Sequence, residues 1–443
     1  MARTDIMVLG AGIVGTSVAL HLAKRGLSVA LVDRGGAGEA TSYGNAGIIE
    51  GNTVFPAAFP SDWATLLAIA FKRSPIANYH LTFLPKIAPW LTAFRAASRP
   101  DRLIATARAM RPLFARAVAE HEALAAEAGA EKYFRRTGWL KIYRSDRAFA
   151  GAKRELDVAA SFGIANVTMD AGAARALEPS LNPVFRHAVH WTGAVSVSNP
   201  LAVTRAYAAR FEALGGLSFA GDARSLHRNG ARWRVETASG PLDAAEVVVA
   251  LGPWLSDLLD PLGLKLPLAA KRGYHRHYRP QGDAGLVRPV LDAENGYVIT
   301  PMEQGIRLTT GIEFAPRDAP ATPVQFGRLL PAARQLFPLG QAVAAQPFGG
   351  QTFGGPTFGG PTWLGARPCF ADSRPVIGRA PKLPGLWLAC GHAHWGWTLG
   401  PATGRLTAEL MTGTTPFCDP APYAADRLGP GARRRRGARA DQR

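Results

Sequence analysis

The stretch Asp5-Ile6-Met7-Val8-Leu9-Gly10-Ala11-Gly12-Ile13-Val14-Gly15 decides how the chain is read. An apolar run stops at a glycine, and a second apolar run, Ile13 to Leu22, resumes at helical spacing. The pattern is a buried strand, a tight turn and a helix start. Gly10, Gly12 and Gly15 have the G-x-G-x-x-G spacing. The first allows the turn, the second lets backbone N–H groups approach a pyrophosphate, and the third lets helix pack on strand. Ile13 and Val14 open the helix, whose positive end attracts phosphate. A second strand, Ser28 to Val32, leads into Asp33 and Arg34. Asp33 falls close to the ~20-residue distance at which an acid accepts hydrogen bonds from a ribose diol. A dinucleotide site is predicted, without its being said which dinucleotide.

A chain of 443 residues predicts two domains or one large interleaved unit. Hydrophobic content of 47% and charged content of 19% suit a soluble protein with a sizeable core. No run of about 18 uncharged apolar residues occurs, so no membrane span is predicted. Met1 to Val8 leads directly into a structural strand, so no signal peptide is expected. Cys369, Cys390 and Cys418 lack C-x-x-C spacing, which argues against a disulfide framework or a zinc site and fits a cytoplasmic, reduced setting. The net charge of +18 is no nucleic-acid signal, because its densest part is a basic tail, 431–443, with the block Arg433 to Arg436. That tail reads as a solvated end. The scattered remainder would help substrate anions arrive or favour an anionic membrane surface.

After Arg34 comes a small, polar stretch, Gly35 to Gly47, suited to lining a phosphate or flavin site. Thr41, Ser42, Asn45, Ala46 and Gly47 are its candidate contacts, through hydroxyls and backbone amides. Residues 62–98 are apolar and aromatic and are broken by Pro75, Pro85 and Pro89. They read as a pair of short helices covering a pocket, or as a patch lying on a membrane or partner. Residues 101–129 and 146–162 are expected to be helical, and Gly138 to Tyr143 a strand. A buried strand, Ala245 to Ala250, stops at Leu251-Gly252-Pro253-Trp254, a place for cofactor contact at a strand end. Residues 270–315 alternate as antiparallel strands, with Tyr297 to Pro301 paired to Arg307 to Gly311. Three phenylalanine–glycine pentads over 348–362 read as an exposed loop, or as a mobile lid. Finally Leu386 to Cys390, Gly391 and a helix from Gly396 through Thr398 and Leu399 to Met411 repeat the strand–turn–helix device. A helix start suits a reduced flavin ring, whose N1–C2 carbonyl region becomes anionic.

Four stretches together resemble the D-amino-acid oxidase-like superfamily of FAD enzymes, and most closely the bacterial D-amino-acid dehydrogenase small-subunit group. They are Val8 to Gly15 with Asp33, Thr41 to Gly47, Glu246 to Trp254, and Gly365-Ala366-Arg367-Pro368 through Gly404. The resemblance implies an α/β fold, α+β overall, in which a Rossmann-like FAD-binding domain is interleaved with an antiparallel-sheet substrate domain. The expected division is 1–55, 190–265 and 365–430 for FAD, and 56–189 and 266–364 for substrate. It implies FAD as cofactor, an amino-acid substrate, and oxygen or a quinone chain as electron acceptor, with a possible peripheral place on the inner membrane face. Arg367 would hold the substrate carboxylate. Tyr297, or else Tyr274, would stand over the flavin, and His394 beside it, with His392 behind the turn. Two histidines two apart without a nearby acid make a poor metal site. Trp395 and Trp397 would narrow the pocket, and Arg374 would add a charge near it. The reaction implied is oxidative deamination of a D-amino acid. Oxidation of a secondary amine acid (sarcosine, D-proline or hydroxy-D-proline) is the alternative, and a non-catalytic flavin-binding module the other.

Overall fold

The strand Ala2–Leu9 lies near the middle of an eight-stranded sheet. Met7, Val8 and Leu9 have no exposed surface, as befits a parallel strand covered on both faces. Val29–Asp33 runs parallel to it on one side and Gly240–Val249 on the other. Leu386–Cys390 is parallel to the C-terminal end of Gly240–Val249, whereas Arg232–Thr237 is antiparallel to its first half. The carboxyl ends at Leu9, Asp33, Val249 and Cys390 therefore open along one edge, where ligands of such sheets bind. The computed structural model describes residues 2–343 and 362–429, so the pentads up to Pro361 and the basic tail lie outside the described residues.

On one face of this sheet, helices Ile13–Ala23 and Gly396–Met411 pack closely. A Cβ added at Gly404 would meet Ser17 backbone at 2.6 Å, so small residues set the approach. Helices Pro100–Ala128 and Pro200–Ala213 complete the layer, burying Leu113, Phe114, Val203 and Phe211 in the same core. The helix Pro100–Ala128 thus packs with the first sheet, although the sequence places 56–189 with the substrate half. Its apolar stripe at 110, 113, 114 and 117 finds its partners there. The expected helix over 146–162 is two, Asp146–Ala150 and Lys153–Ser161, parted at Gly151.

The second sheet has eleven strands and is mainly antiparallel. Its spine is the twelve-residue strand Ala269–Pro280. Trp363–Cys369 pairs along one edge of the spine, with Lys271 opposite Arg367 and Gly273 opposite Gly365. The hairpin Tyr297–Met302 and Gly305–Thr309 lies beyond the other edge, as the alternation predicts. Strand geometry sends successive side chains to opposite faces. Lys271, Gly273 and Arg367 meet the edge of the first sheet, while Arg272 and Tyr274 enter a buried network behind. There Arg272 pairs with Glu313 at 2.9 Å, and Glu313 accepts from Tyr274 Oη at 2.7 Å.

Candidate active site

A cavity of about 1300 Å3 lies between the open strand ends of the first sheet and one face of the second. Its first wall begins at the glycine turn. Gly10 has φ +105°, and a Cβ there would lie 2.6 Å from the Ala250 carbonyl oxygen. A Cβ on Gly15 would lie 1.8 Å from the Gly10 oxygen, so the helix can start only with glycine at that point. Asp33 accepts from Ala11 N at 2.7 Å and Gly35 N at 2.9 Å. Burial raises its carboxyl above the ordinary range while these N–H donors pull it back. Ser42 Oγ accepts from Ile13 N at 2.9 Å, so the polar loop is tied to the helix start.

Neither N-cap residue, Gly12 or Trp395, caps its helix with its own side chain, and neither helix has an acid in its first turn. Both helices open at the cavity through Ile13 and Gly396. Two positive helix ends, one beside an acid with spare lone pairs, fit a ligand with a pyrophosphate, a diol and an electron-accepting ring. That is the donor set FAD requires. All but four of the expected cofactor-side residues line this cavity; the exceptions are Gly15, Gly47, Thr398 and Leu399. Gly15 acts through packing. Gly47 (φ +67°) is a turn residue against Val197. Thr398 Oγ1 donates to Ile48 O at 3.1 Å and positions the loop below it. Leu399 is in the core, and its N–H is taken by Trp395 O at 2.8 Å.

The second wall is basic. Arg367 lines the cavity, and its Nη1 donates to Gly311 O at 3.2 Å. Its guanidinium lies over Gly273, where a Cβ would stand 2.8–3.0 Å from it. Among the described residues no acid acts on it; burial lowers its pKa and the Cys369 thiol raises it. His394 is exposed to the cavity yet enclosed by protein. That enclosure first, then Arg367 and Lys271, hold its imidazole below the ordinary value and neutral. His392 stands behind the turn, bonded to Thr403 Oγ1 at 2.9 Å, with burial lowering it to about 3.

Of the two tyrosines, Tyr274 is among the residues lining the cavity and Tyr297 is not. Gly296 and Val298 line the cavity, so strand alternation turns Tyr297 to the opposite face, where its hydroxyl reaches Ala332 O at 3.3 Å. The Tyr274 hydroxyl is spent on Glu313, and it accepts from Thr322 N at 2.9 Å. Trp395 packs edge-on against Phe114 at 5.0 Å inside the helical layer, so only Trp397 of the pair reaches the cavity. Arg374 is neutralised by Asp372 at 2.8 Å and stays off the wall.

Sequence reasoning missed Lys271, Gly273 and Trp363, all on the cavity wall. The signal for the first two is the parity of the spine strand: residues two apart from a cavity glycine share its face. It also missed Arg307, which is buried and whose Nη1 donates to Tyr43 O at 2.8 Å and Asn45 O at 2.6 Å. That side chain holds the polar loop on the second sheet.

A dinucleotide turn and an anion-binding wall facing one cavity define a flavin-dependent oxidoreductase of carboxylate-bearing substrates. A family model described as "DAO: FAD dependent oxidoreductase" matches residues 5–410, and the chain belongs to that family. It is 32% identical to D-amino acid dehydrogenase 2 of Ralstonia nicotianae, over 96% of this chain and 100% of that relative. It is 28% identical to glycine oxidase of Pseudomonas putida, over 96% of this chain and 99% of that relative. The crystal structure of glycine oxidase from Geobacillus kaustophilus superposes with a TM-score of 0.71 at 23% identity, covering 97% of this chain and 99% of that one. The chain is an FAD-dependent amino-acid oxidoreductase.

Proposed function

We propose that the protein oxidises a D-amino acid to a 2-oxo acid and ammonia. The observation that carries this reading is Arg367, a cavity-facing guanidinium with no carboxylate beside it among the described residues. Its planar fork suits a substrate carboxylate bidentately. Anchoring that group fixes the substrate in the cavity and removes part of the entropic barrier. His394, kept neutral, adds no positive charge beside a substrate amine. The amine must be neutral to react, since its lone pair expels the hydride. When bound, FAD would supply the two-electron acceptor for the hydride that leaves the substrate α-carbon. The imino acid that forms takes up water and releases ammonia. Thr41, bonded to Ala366 O at 3.0 Å, and Ser42 tie the two walls together, so cofactor and anchor keep their relation. The expected cofactor and substrate divisions of the chain belong to this reading, with residues 100–128 moved to the cofactor half.

The test is anaerobic mixing of the yellow protein with enantiomeric pairs of amino acids. D-enantiomers bleach the flavin and Arg367→Ala abolishes bleaching at modest substrate concentration. Bleaching by sarcosine or D-proline alone would instead favour the secondary amine reading.

We further propose a peripheral place on the cytoplasmic face of a membrane, with a quinone rather than oxygen as acceptor. The helix Trp63–Ala70 supports it: Leu66 and Ile69 line the cavity, while Trp63 is 76% exposed, Leu67 54% and Phe71, next after it, 69%. Lys72 and Arg73 follow. Spacing of four residues makes the exposed three one stripe, as an interfacial helix requires. Among the described residues no helix is long and apolar enough to cross a membrane. Flotation with anionic vesicles is expected for the native chain, and loss of it on replacing all three residues by serine. Faster reoxidation by oxygen than by a soluble quinone would remove the acceptor half of this proposal.

A further inference from the structure

Lys271 and Arg367 stand directly opposite each other across an antiparallel strand pair, and both leave the cavity face. Like charges placed so are destabilising unless something answers them. Among the described residues no acid acts on either one; the Cys369 thiol acts on both, and Arg367 acts on Lys271. A buried cation without a counter-charge is costly, and in a cavity wall it points to an anionic ligand.

The two heads diverge. Arg367 leans over Gly273 and donates to Gly311 O. Lys271 lies the other way, with Nζ 4.0 Å from the Phe94 ring centroid and 4.9 Å from that of Trp90. The aromatic faces soften the desolvation of the ammonium but carry no net charge. Lys271 is only 6% exposed, and burial first, then Arg367, lower its pKa from the ordinary value. An anion beside it would attract the ammonium and favour its charged form. One carboxylate gripped by the Arg367 fork leaves the Lys271 position unanswered.

Resting on the amino-acid reading above, we propose that Lys271 binds a second anionic group of the substrate, the carboxylate of an acidic side chain. The cavity then discriminates by charge at two points, with Arg367 taking the α-carboxylate and Lys271 the distal one. A neutral side chain of the same shape leaves the ammonium buried and unpaired, so it is rejected by an amount set by that penalty.

The experiment uses the FAD-loaded protein and two readouts. Flavin reduction is compared for D-glutamate and D-glutamine, D-aspartate and D-asparagine, and D-alanine. Binding of glutarate and of butyrate, neither of which can be oxidised at an amine, is measured by calorimetry. The acid is expected to be favoured over its amide, and glutarate over butyrate, by about 10- to 100-fold, the range of a charge-assisted hydrogen bond. Lys271→Met keeps the apolar stem and should erase both preferences. Lys271→Arg should retain part of them. Equal use of acid and amide by the native protein, or a preference that survives Lys271→Met, overturns the proposal. If no amine reduces the flavin, the amino-acid reading fails. The glutarate–butyrate comparison still decides whether Lys271 is an anion site.

Discussion

The cavity has two walls of opposite character. On the first, polar groups are answered within the chain: Asp33 accepts from Ala11 and Gly35, and Ser42 accepts from Ile13. On the second, Arg367 and Lys271 face each other, and among the described residues no acid answers them. The first wall is tolerant of being empty because its acceptors and donors can meet one another. The second is built against the rules for a stable sheet, where opposite positions carry complementary charge. A local violation of that sort marks function more sharply than a satisfied network does. On the proposed function the contrast says where specificity would reside: the first wall would hold the cofactor, and the second would read the substrate.

The comparison breaks most completely at Gly15. Val in its place would drive a Cβ into the Gly10 carbonyl, 1.8 Å away, where backbone cannot yield cheaply. Gly15→Val should destabilise the fold by about 3 kcal/mol or more and yield protein without flavin, read from the 450 nm to 280 nm absorbance ratio and from thermal unfolding. A yellow, stable variant would show that the helix start can shift and still hold the dinucleotide.

The second wall fails differently. Arg367→Ala should leave flavin content and unfolding temperature near native values. Its loss should appear in the second-order rate of flavin reduction, by about 10²- to 10³-fold, the 3–4 kcal/mol of a buried charge pair truncated on one side. Smaller again is Gly273→Ala. The added methyl would meet the guanidinium at 2.8–3.0 Å and displace it from the Gly311 carbonyl. Misplacing an anchor without removing it should cost about 10- to 100-fold in the same rate, mostly through substrate affinity. Native kinetics in Gly273→Ala would mean that Arg367 works from another rotamer.

The first wall was largely legible in the sequence and the second only in part, for a physical reason. Gly10 to Gly15, Asp33 and the turn before Gly396 are local devices whose residue types follow from the backbone conformation beside them. Arg367 was found through its resemblance. The face a strand residue takes depends on pairing, and one step along the strand reverses it. Tyr297 was therefore expected at the cavity, whereas its strand neighbours Gly296 and Val298 line it. Lys271-Arg272-Gly273 reads as a charged strand, and nothing local says that Lys271 turns inward while Arg272 finds Glu313. Arg307 was invisible because its acceptors, Tyr43 and Asn45, are distant in sequence.

His392 and His394 carry the comparison into one turn, since they are two residues apart and belong to different walls. His392 is lowered to about 3 by burial alone and bonds to Thr403. Its folded value lies below the unfolded one, so the stability it contributes is complete above about pH 6.5. That stability is lost as pH falls toward 3, by up to about 1.4 kcal/mol per unit. His394 is lowered by enclosure and also by the charges of Arg367 and Lys271. Removing one of those charges should therefore move one histidine and not the other. In Lys271→Met, the His394 imidazole signal followed by NMR should titrate higher by a few tenths of a unit, the size of a partly screened like-charge interaction. His392 should not move. Equal shifts at both would mean that the substitution loosens the whole turn. No shift at His394 would place the Lys271 ammonium too far from the substrate amine's surroundings to act on a ligand bound at Arg367.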